Sequence, residues 1–168
     1  MPTTGHDGTN RSSDDLLSRR NVMDTIVVGV DGSAGSTEAI RWAAAEAKLR
    51  GAKLRAVAAW EFPFTSAGFG DSISMIPIPQ LEADAKRMLD DALIAGIADP
   101  IALSTVDRAV ICGHATSVLR SESKDATMIV VGARGHGGFV GLLLGSTSDQ
   151  LVKHASCPVV VVRNAESI

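Results

Sequence analysis

Short apolar runs rich in β-branched residues alternate along this chain with stretches that have helical spacing. A short continuous apolar run, of about 4 to 8 residues, is typical of a strand that is buried on both faces of a parallel sheet. Strands alternating with helices therefore predict an α/β fold, an open five-stranded parallel sheet covered by helices on both faces. The five predicted strands are DTIVVGV (24–30), KLRAVAAW (53–60), LSTVDRAVIC (103–112), ATMIVVG (126–132) and CPVVVVR (157–163).

The segments between these strands carry helix signals. The first helix is predicted over 36–50, with a cap at Ser33 or Ser36 and an apolar stripe formed by Ala39, Trp42, Ala43 and Ala47. Further helices are predicted over 80–96, 114–124 and 146–155. The charges in the third strand predict that it lies at a sheet edge. The connection 61–79 is too rich in proline and glycine for a regular element, and it is expected to be either a binding loop or a simple insertion.

The length and composition indicate one domain. The chain has 168 residues, of which 45% are hydrophobic and 21% charged, as in ordinary globular proteins. Residues 1–23 are polar and lack periodicity, which predicts a disordered tail. We expect a single domain over 24–164 and a short C-terminal tail over 165–168.

The charge and composition argue against several function classes. A net charge of −3 and an aromatic content of 4% give no reason to expect binding to nucleic acid or membranes. No apolar run approaches the ~20 residues needed to cross a bilayer, and the N-terminus has no signal-peptide pattern. Cys112 and Cys157 lack CxxC spacing, which favours reduced thiols and a cytoplasmic location.

Six glycines lie between Gly132 and Gly145, directly after the fourth predicted strand. If the first and fourth strands are neighbours, Asp31 and this glycine-rich stretch meet in one crevice at the carboxyl ends of the strands. The Asp31 carboxylate could there accept hydrogen bonds from ribose hydroxyls or from an adenine amino group. Glycine at 132 and 135 would let the backbone pass close beside a sugar or a phosphate.

The end of the same stretch predicts a phosphate site. The residues Gly145, Ser146, Thr147 and Ser148 open a helix, whose first amides lack intrahelical acceptors and favour an anion. The hydroxyls of Ser146 and Ser148 add donors, and Arg134 and His136 could add positive or donor groups.

These features have simpler interpretations as well. For Gly135 to Gly138, turn formation and ligand contact are equally good explanations, and for Asp31 alone a role in helix capping is the better one. Neither GxxxxGK(S/T) nor GxGxxG occurs. The residues by themselves thus predict a phosphate or nucleotide binder without naming the nucleotide.

A family resemblance goes further. Gly132, Gly135 and Gly145-Ser146 follow the G-x2-G-x9-G-(S/T) pattern, which resembles that of ATP-binding universal stress proteins, as does TIVVGVDGS. The resemblance covers residues 24–163. It implies a Rossmann-like sheet with strand order 3-2-1-4-5, bound ATP with or without Mg²⁺, and a homodimer that pairs through Pro158 to Arg163.

The resemblance also implies roles for individual residues. Asp31 and Gly132 would flank adenine and ribose, and Ala58 would line the adenine pocket. Val30 and Val131 would contribute backbone contacts. The residues implied at the phosphates are Gly135, Gly145, Ser146 and Ser148.

The leading functional hypothesis is an ATP-binding regulatory protein of the stress response, which signals through nucleotide-dependent conformation or dimer state. The alternatives are a slow ATPase or phosphotransferase that uses the same pocket, and an interaction module with an empty pocket. Efficient turnover is not expected, because the glycine-rich loop holds no Asp or Glu for magnesium and the four histidines form no metal-ligand set. We therefore predict no catalytic and no metal-binding residues.

Overall fold

The computed structural model describes residues 24–62, 77–136 and 143–163. The predicted tails, most of the connection 61–79 and the loop glycines at 137, 138 and 141 lie outside these residues. Strands and helices alternate in the described chain. In chain order they are β1 (Thr25–Gly29), α1 (Ala34–Arg50), β2 (Lys53–Trp60), α2 (Ile78–Gly96), α3 (Pro100–Ser104), β3 (Asp107–Cys112), α4 (Ala115–Glu122), β4 (Met128–Gly132), α5 (Ser146–His154) and β5 (Val159–Val162).

The five strands form one parallel sheet in the order β3-β2-β1-β4-β5, which confirms the predicted topology. The register pairs Thr25 with Lys53 between β1 and β2, and Ile26 with Met128 between β1 and β4. The chain thus builds β1, β2 and β3 outward to one edge and then returns to place β4 on the other side of β1. The strand order reverses between β1 and β4, where folds of this kind bind ligands.

Two apolar cores cover the two faces of the sheet. Alternate side chains of a strand point to opposite faces, so Ile26 and Val28 join the larger core and Val27 joins the smaller one. Buried residues of α1 and α2 complete the larger core. Val118 and Leu119 of α4, with Leu151 of α5, complete the smaller core.

Helix α1 begins and ends at the residue types that such positions favour. Ser33 is the N-cap, and its hydroxyl accepts a hydrogen bond from the amide of Ser36. Gly51 closes the helix in the left-handed region, with a φ of 63°. The predicted stripe holds at its three alanines, which are buried, whereas Trp42 is 37% exposed.

The third strand begins later than the sequence predicts. The structure places α3 over Pro100–Ser104 and starts β3 only at Asp107, so the prediction of a strand from Leu103 is wrong. Asp99 caps α3 by accepting a hydrogen bond from the Ile101 amide, and Pro100 occupies the first turn, where proline is tolerated. The edge position predicted for this strand is confirmed. No helix in the described part of the chain is long and apolar enough to cross a membrane.

Candidate functional site

A cavity of about 340 Å³ opens at the carboxyl ends of β1 and β4. Its volume falls in the range of small-molecule sites in proteins. The structure brings together there all the predicted site residues except Ala58. Those residues are Val30, Asp31, Val131, Gly132, Arg134, Gly135, Gly145, Ser146, Thr147 and Ser148.

The floor of the cavity is apolar. It continues the smaller core and is lined by Gly29, Val57, Ala59, Ala115, Leu119 and Val131. Ala58 lies between two of these residues on β2 but is fully buried in the larger core, on the other face of the sheet. The prediction of Ala58 as a lining residue is therefore wrong. Its neighbours Val57 and Ala59 line the cavity instead, because successive strand residues alternate between faces.

Asp31 stands at the rim of this floor and organises the turn into α1. Its Oδ1 accepts hydrogen bonds from the amide of Ser33 at 3.0 Å and from the Ser33 hydroxyl at 2.6 Å. The Ser33 hydroxyl in turn accepts from the amide of Ser36 at 3.1 Å. Asp31 therefore supports the capping serine and does not cap the helix itself. The side chain is exposed and lines the cavity.

Gly132 ends β4 directly against the first turn of α1. A Cβ at this position would lie 2.7 Å from the carbonyl carbon of Gly35 and 3.0 Å from the amide nitrogen of Ser36. The neighbour that requires glycine here is thus the backbone of α1. Glycine at 132 thus has a reason within the fold itself. Gly132 also lines the cavity, and its contact with a sugar or phosphate stays a prediction.

The first turn of α5 forms another wall of the cavity. Gly145 is the N-cap, and no side chain of the described residues caps the helix. The turn is anchored to the end of β4, because the Gly145 amide donates to the Ala133 carbonyl at 2.7 Å. The Ser148 hydroxyl, whose residue is 2% exposed, shares its one hydrogen between the carbonyls of Ala133 and Gly145, each at 2.9 Å. Ser148 therefore fixes the helix to the strand. This corrects the expectation that its hydroxyl adds a donor for a phosphate, because the hydrogen is already used by the backbone.

The uncapped amides at the start of α5 carry the positive end of the helix dipole. Arg134 and His136 line the same cavity. Asp149, the acidic residue of the first turn, forms an ion pair with Lys153 at 2.8 Å. The cavity thus has one cationic wall suited to an anion and one carboxylate suited to hydroxyl or amino donors.

Metal-ligand side chains are sparse in this region. Within residues 24–62, 77–136 and 143–163, no group of three His, Cys, Asp or Glu side chains could hold a metal ion. Cys112 and Cys157 are both free thiols.

Sequence reasoning missed most of the apolar floor. The sequence did indicate that Val57 and Ala59 lie together, because residues two apart on a strand point to the same face of the sheet. No comparable signal identified Leu119, since its position beside β1 depends on how α4 crosses the sheet.

Comparison with known proteins gives a consistent family. The sequence model of the universal stress protein family matches residues 23–163. Universal stress protein Rv2623 of Mycobacterium tuberculosis is 33% identical over 147 residues, covering 85% of this chain and 48% of that protein. The chain thus spans about half the length of this relative.

Solved structures share the fold. A universal stress protein crystallised in complex with cAMP is 26% identical, with a TM-score of 0.55, covering 83% of this chain and 95% of the other. The universal stress protein UspA of Lactobacillus plantarum is 23% identical, with a TM-score of 0.59 and coverage of 85% and 100%, and it shows likeness of fold alone.

Proposed function

This chain belongs to the universal stress protein family, and we propose that it is an ATP-binding regulatory protein of the stress response. One observation carries the proposal: a single cavity joins an apolar floor, the Asp31 carboxylate and the uncapped first turn of α5. An adenine nucleotide has three parts with matching chemistry, namely a flat base, a hydroxylated sugar and a chain of anions.

The base is assigned to the floor. The half-buried Ala59 and Ala115 line it, and Leu119 and Val131 of the smaller core lie behind them, each 5% exposed. A purine placed on this floor would remove its own apolar faces from water. Asp31 lies beside this floor at the end of β1, where its carboxylate can accept hydrogen bonds from ribose hydroxyls or from the adenine amino group.

The phosphates are assigned to the first turn of α5. The amides of Ser146, Thr147 and Ser148 supply backbone donors and the dipole favours negative charge. The Ser146 hydroxyl adds a donor, and Arg134 adds a cation that suits phosphate oxygens. The related protein that was crystallised with cAMP supports an adenine nucleotide as the ligand class.

Regulation requires that ATP favour one state of the protein over another, because equal affinity for both would shift nothing. We propose that a second copy of this chain pairs along β5. That strand forms one edge of the sheet, and its four valines are only half-buried. An apolar edge strand is a natural template for pairing with another chain. The proposed location is the cytoplasm, which the two free thiols support.

The experiment that tests the function is titration of purified protein with ATP by calorimetry, with and without Mg²⁺, together with mass spectrometry of any nucleotide released on denaturation. Asp31→Ala should weaken ATP binding by about tenfold to a hundredfold, as expected for loss of a charged hydrogen-bond acceptor. Asp24→Ala is the matched control, because Asp24 is exposed at the opposite end of the same strand. It should bind as the wild type does.

The outcomes separate the hypotheses. Bound ATP or micromolar affinity that depends on Asp31 supports the proposal. Release of ADP alone, with metal-dependent turnover in a timed assay, would favour the slow ATPase or phosphotransferase. No released nucleotide and no binding in titration would mean that the glycines serve the fold and that the cavity is not a nucleotide site.

A further inference from the structure

Gly135 occupies a position where glycine is not required by the backbone. The described glycines with positive φ are Gly32, Gly51 and Gly113, and Gly135 is not among them. The reason for glycine at 135 must therefore be space. A Cβ built there would overlap Oδ2 of Asp31 and lie 3.3 Å from its Cγ.

Nothing else in the described structure competes for this space. Apart from the residues adjacent to Gly135 in the chain, Asp31 supplies the only described heavy atoms within 4 Å of that Cβ. The other glycines of the pattern differ. A Cβ at Gly132 would strike the backbone of α1, whereas one at Gly145 would make only ordinary contacts at 3.5 Å or more.

The Asp31 carboxylate is thus held from two sides. Its Oδ1 receives two hydrogen bonds from Ser33, which leaves Oδ2 to lie in the space above Gly135. A side chain at 135 would push Oδ2 away. The carboxylate could then stay clear of the new atom only by rotating about bonds that also carry Oδ1, so the bonds from Ser33 would lengthen or break.

We infer that Gly135 is a positioning residue for Asp31. Because glycine has no Cβ, it leaves the space that Oδ2 of the Asp31 carboxylate occupies. The inference rests on the proposed function in so far as Asp31 contacts a nucleotide. It assigns this glycine of the G-x2-G-x9-G-(S/T) pattern to the sugar and base, at the opposite end of the ligand from the phosphates, because its effect passes through the Asp31 carboxylate.

A double-mutant cycle tests this coupling. Gly135→Ala alone should weaken ATP binding by about as much as Asp31→Ala alone, roughly tenfold to a hundredfold. In the Asp31→Ala background, adding Gly135→Ala should change the affinity by less than about twofold, because the overlapping atoms are gone. Equal losses from Gly135→Ala in both backgrounds would overturn the inference and return Gly135 to direct contact with the ligand.

A second measurement decides the inference without nucleotide. The Ser33 amide donates to Asp31 Oδ1, so its NMR chemical shift and hydrogen-exchange rate report the carboxylate position. Gly135→Ala should move both quantities toward the values of Asp31→Ala, and it should leave them unchanged in the Asp31→Ala background. An unperturbed Ser33 amide in Gly135→Ala would overturn the inference. If the wild type binds no ATP, the proposed function fails while this readout still tests the positioning.

Discussion

Gly132 and Gly35 lie backbone against backbone where β4 ends beside the first turn of α1. A Cβ on Gly132 would come 2.7 Å from the carbonyl carbon of Gly35, and a Cβ on Gly35 would come 2.6 Å from the carbonyl oxygen of Arg134. Each glycine, by lacking a Cβ, therefore allows the end of β4 and the first turn of α1 to approach closely. Neither obstruction is the end of a flexible side chain, so only a shift of the strand or the helix could relieve it.

We expect Gly132→Ala to lower the free energy of unfolding by about 2 kcal/mol, the usual cost of forcing atoms into a packed interior. Chemical denaturation measures this quantity. Gly135→Ala is the matched control, because its new methyl meets only the exposed side chain of Asp31. Its free energy of unfolding should fall by clearly less, about 0.5–1 kcal/mol, because only the exposed hydrogen bonds between Ser33 and Asp31 are weakened. Equal destabilisation by both substitutions would contradict this view of the two glycines.

Ser148→Ala and Ser146→Ala should separate stability from ligand binding. The buried Ser148 hydroxyl bonds two carbonyls, so its removal should lower the free energy of unfolding by about 1–2 kcal/mol. Ser146 is exposed, and its removal should leave stability unchanged while it weakens ATP binding by about 1 kcal/mol, or roughly fivefold. Thermal unfolding and calorimetry on the same two variants check this. A stability loss in Ser146→Ala together with an affinity loss alone in Ser148→Ala would contradict these roles.

Arg55 on β2 ties β3 and α4 together. Its guanidinium reaches Glu122 through two nitrogens, at 2.6 and 3.0 Å, and also pairs with Asp107. Glu122 is 23% exposed and Asp107 is 56% exposed. We therefore expect Glu122→Gln to lower the free energy of unfolding by about 1–2 kcal/mol. Asp107→Asn should lower it by less than about 0.5 kcal/mol, since exposed pairs contribute little. Denaturation curves in which Asp107→Asn is the more damaging change would refute this ranking.

The ion pairs of Arg55 should stabilise the fold by the same amount across the neutral and mildly alkaline pH range. Hydrogen bonding to Glu122, above all, raises the pKa of Arg55 above its ordinary value. A group whose pKa is raised by folding stabilises fully at every pH below its unfolded value and loses this effect only as the pH rises through the folded value. Arg55→Met should therefore reduce stability by the same amount at each pH between about 6 and 10. A stability difference that shrinks across this range would contradict the prediction.

Val161→Pro tests the proposed pairing through β5. The carbonyls of Pro158 and Val162 accept hydrogen bonds from the amides of Ile129 in β4 and of Ala133 just after it. Alternation along the strand therefore turns the Val161 amide toward the open edge. Proline there removes only an outward donor, which an edge strand tolerates. Sedimentation should show a monomer with retained circular dichroism. A dimer that persists in Val161→Pro would exclude backbone pairing at this edge.

The five strands and the start of the last helix were predictable from local signals, whereas the strand order and the roles of Val30 and Val131 came from the family resemblance. Buried parallel strands need apolar runs, and the helix that starts at Ser146 follows its glycine directly. The floor was not predictable, since Leu119 reaches β1 only through the crossing of α4. The α3 signal lay in Asp99 and Pro100, yet the third strand was predicted to begin at Leu103, inside this helix. The reasons for Gly132 and Gly135 depend on approaches between segments about a hundred residues apart in the chain.

The smaller core has a consequence for how the protein would respond to its ligand. Val57, Leu119 and Val131 belong to that core and also form the floor of the cavity. Little of this layer is open to water, because Val57 is fully buried and Leu119 and Val131 are each 5% exposed. A purine bound on this floor would pack directly against the smaller core, so binding of the ligand would also add to the packing of the protein interior.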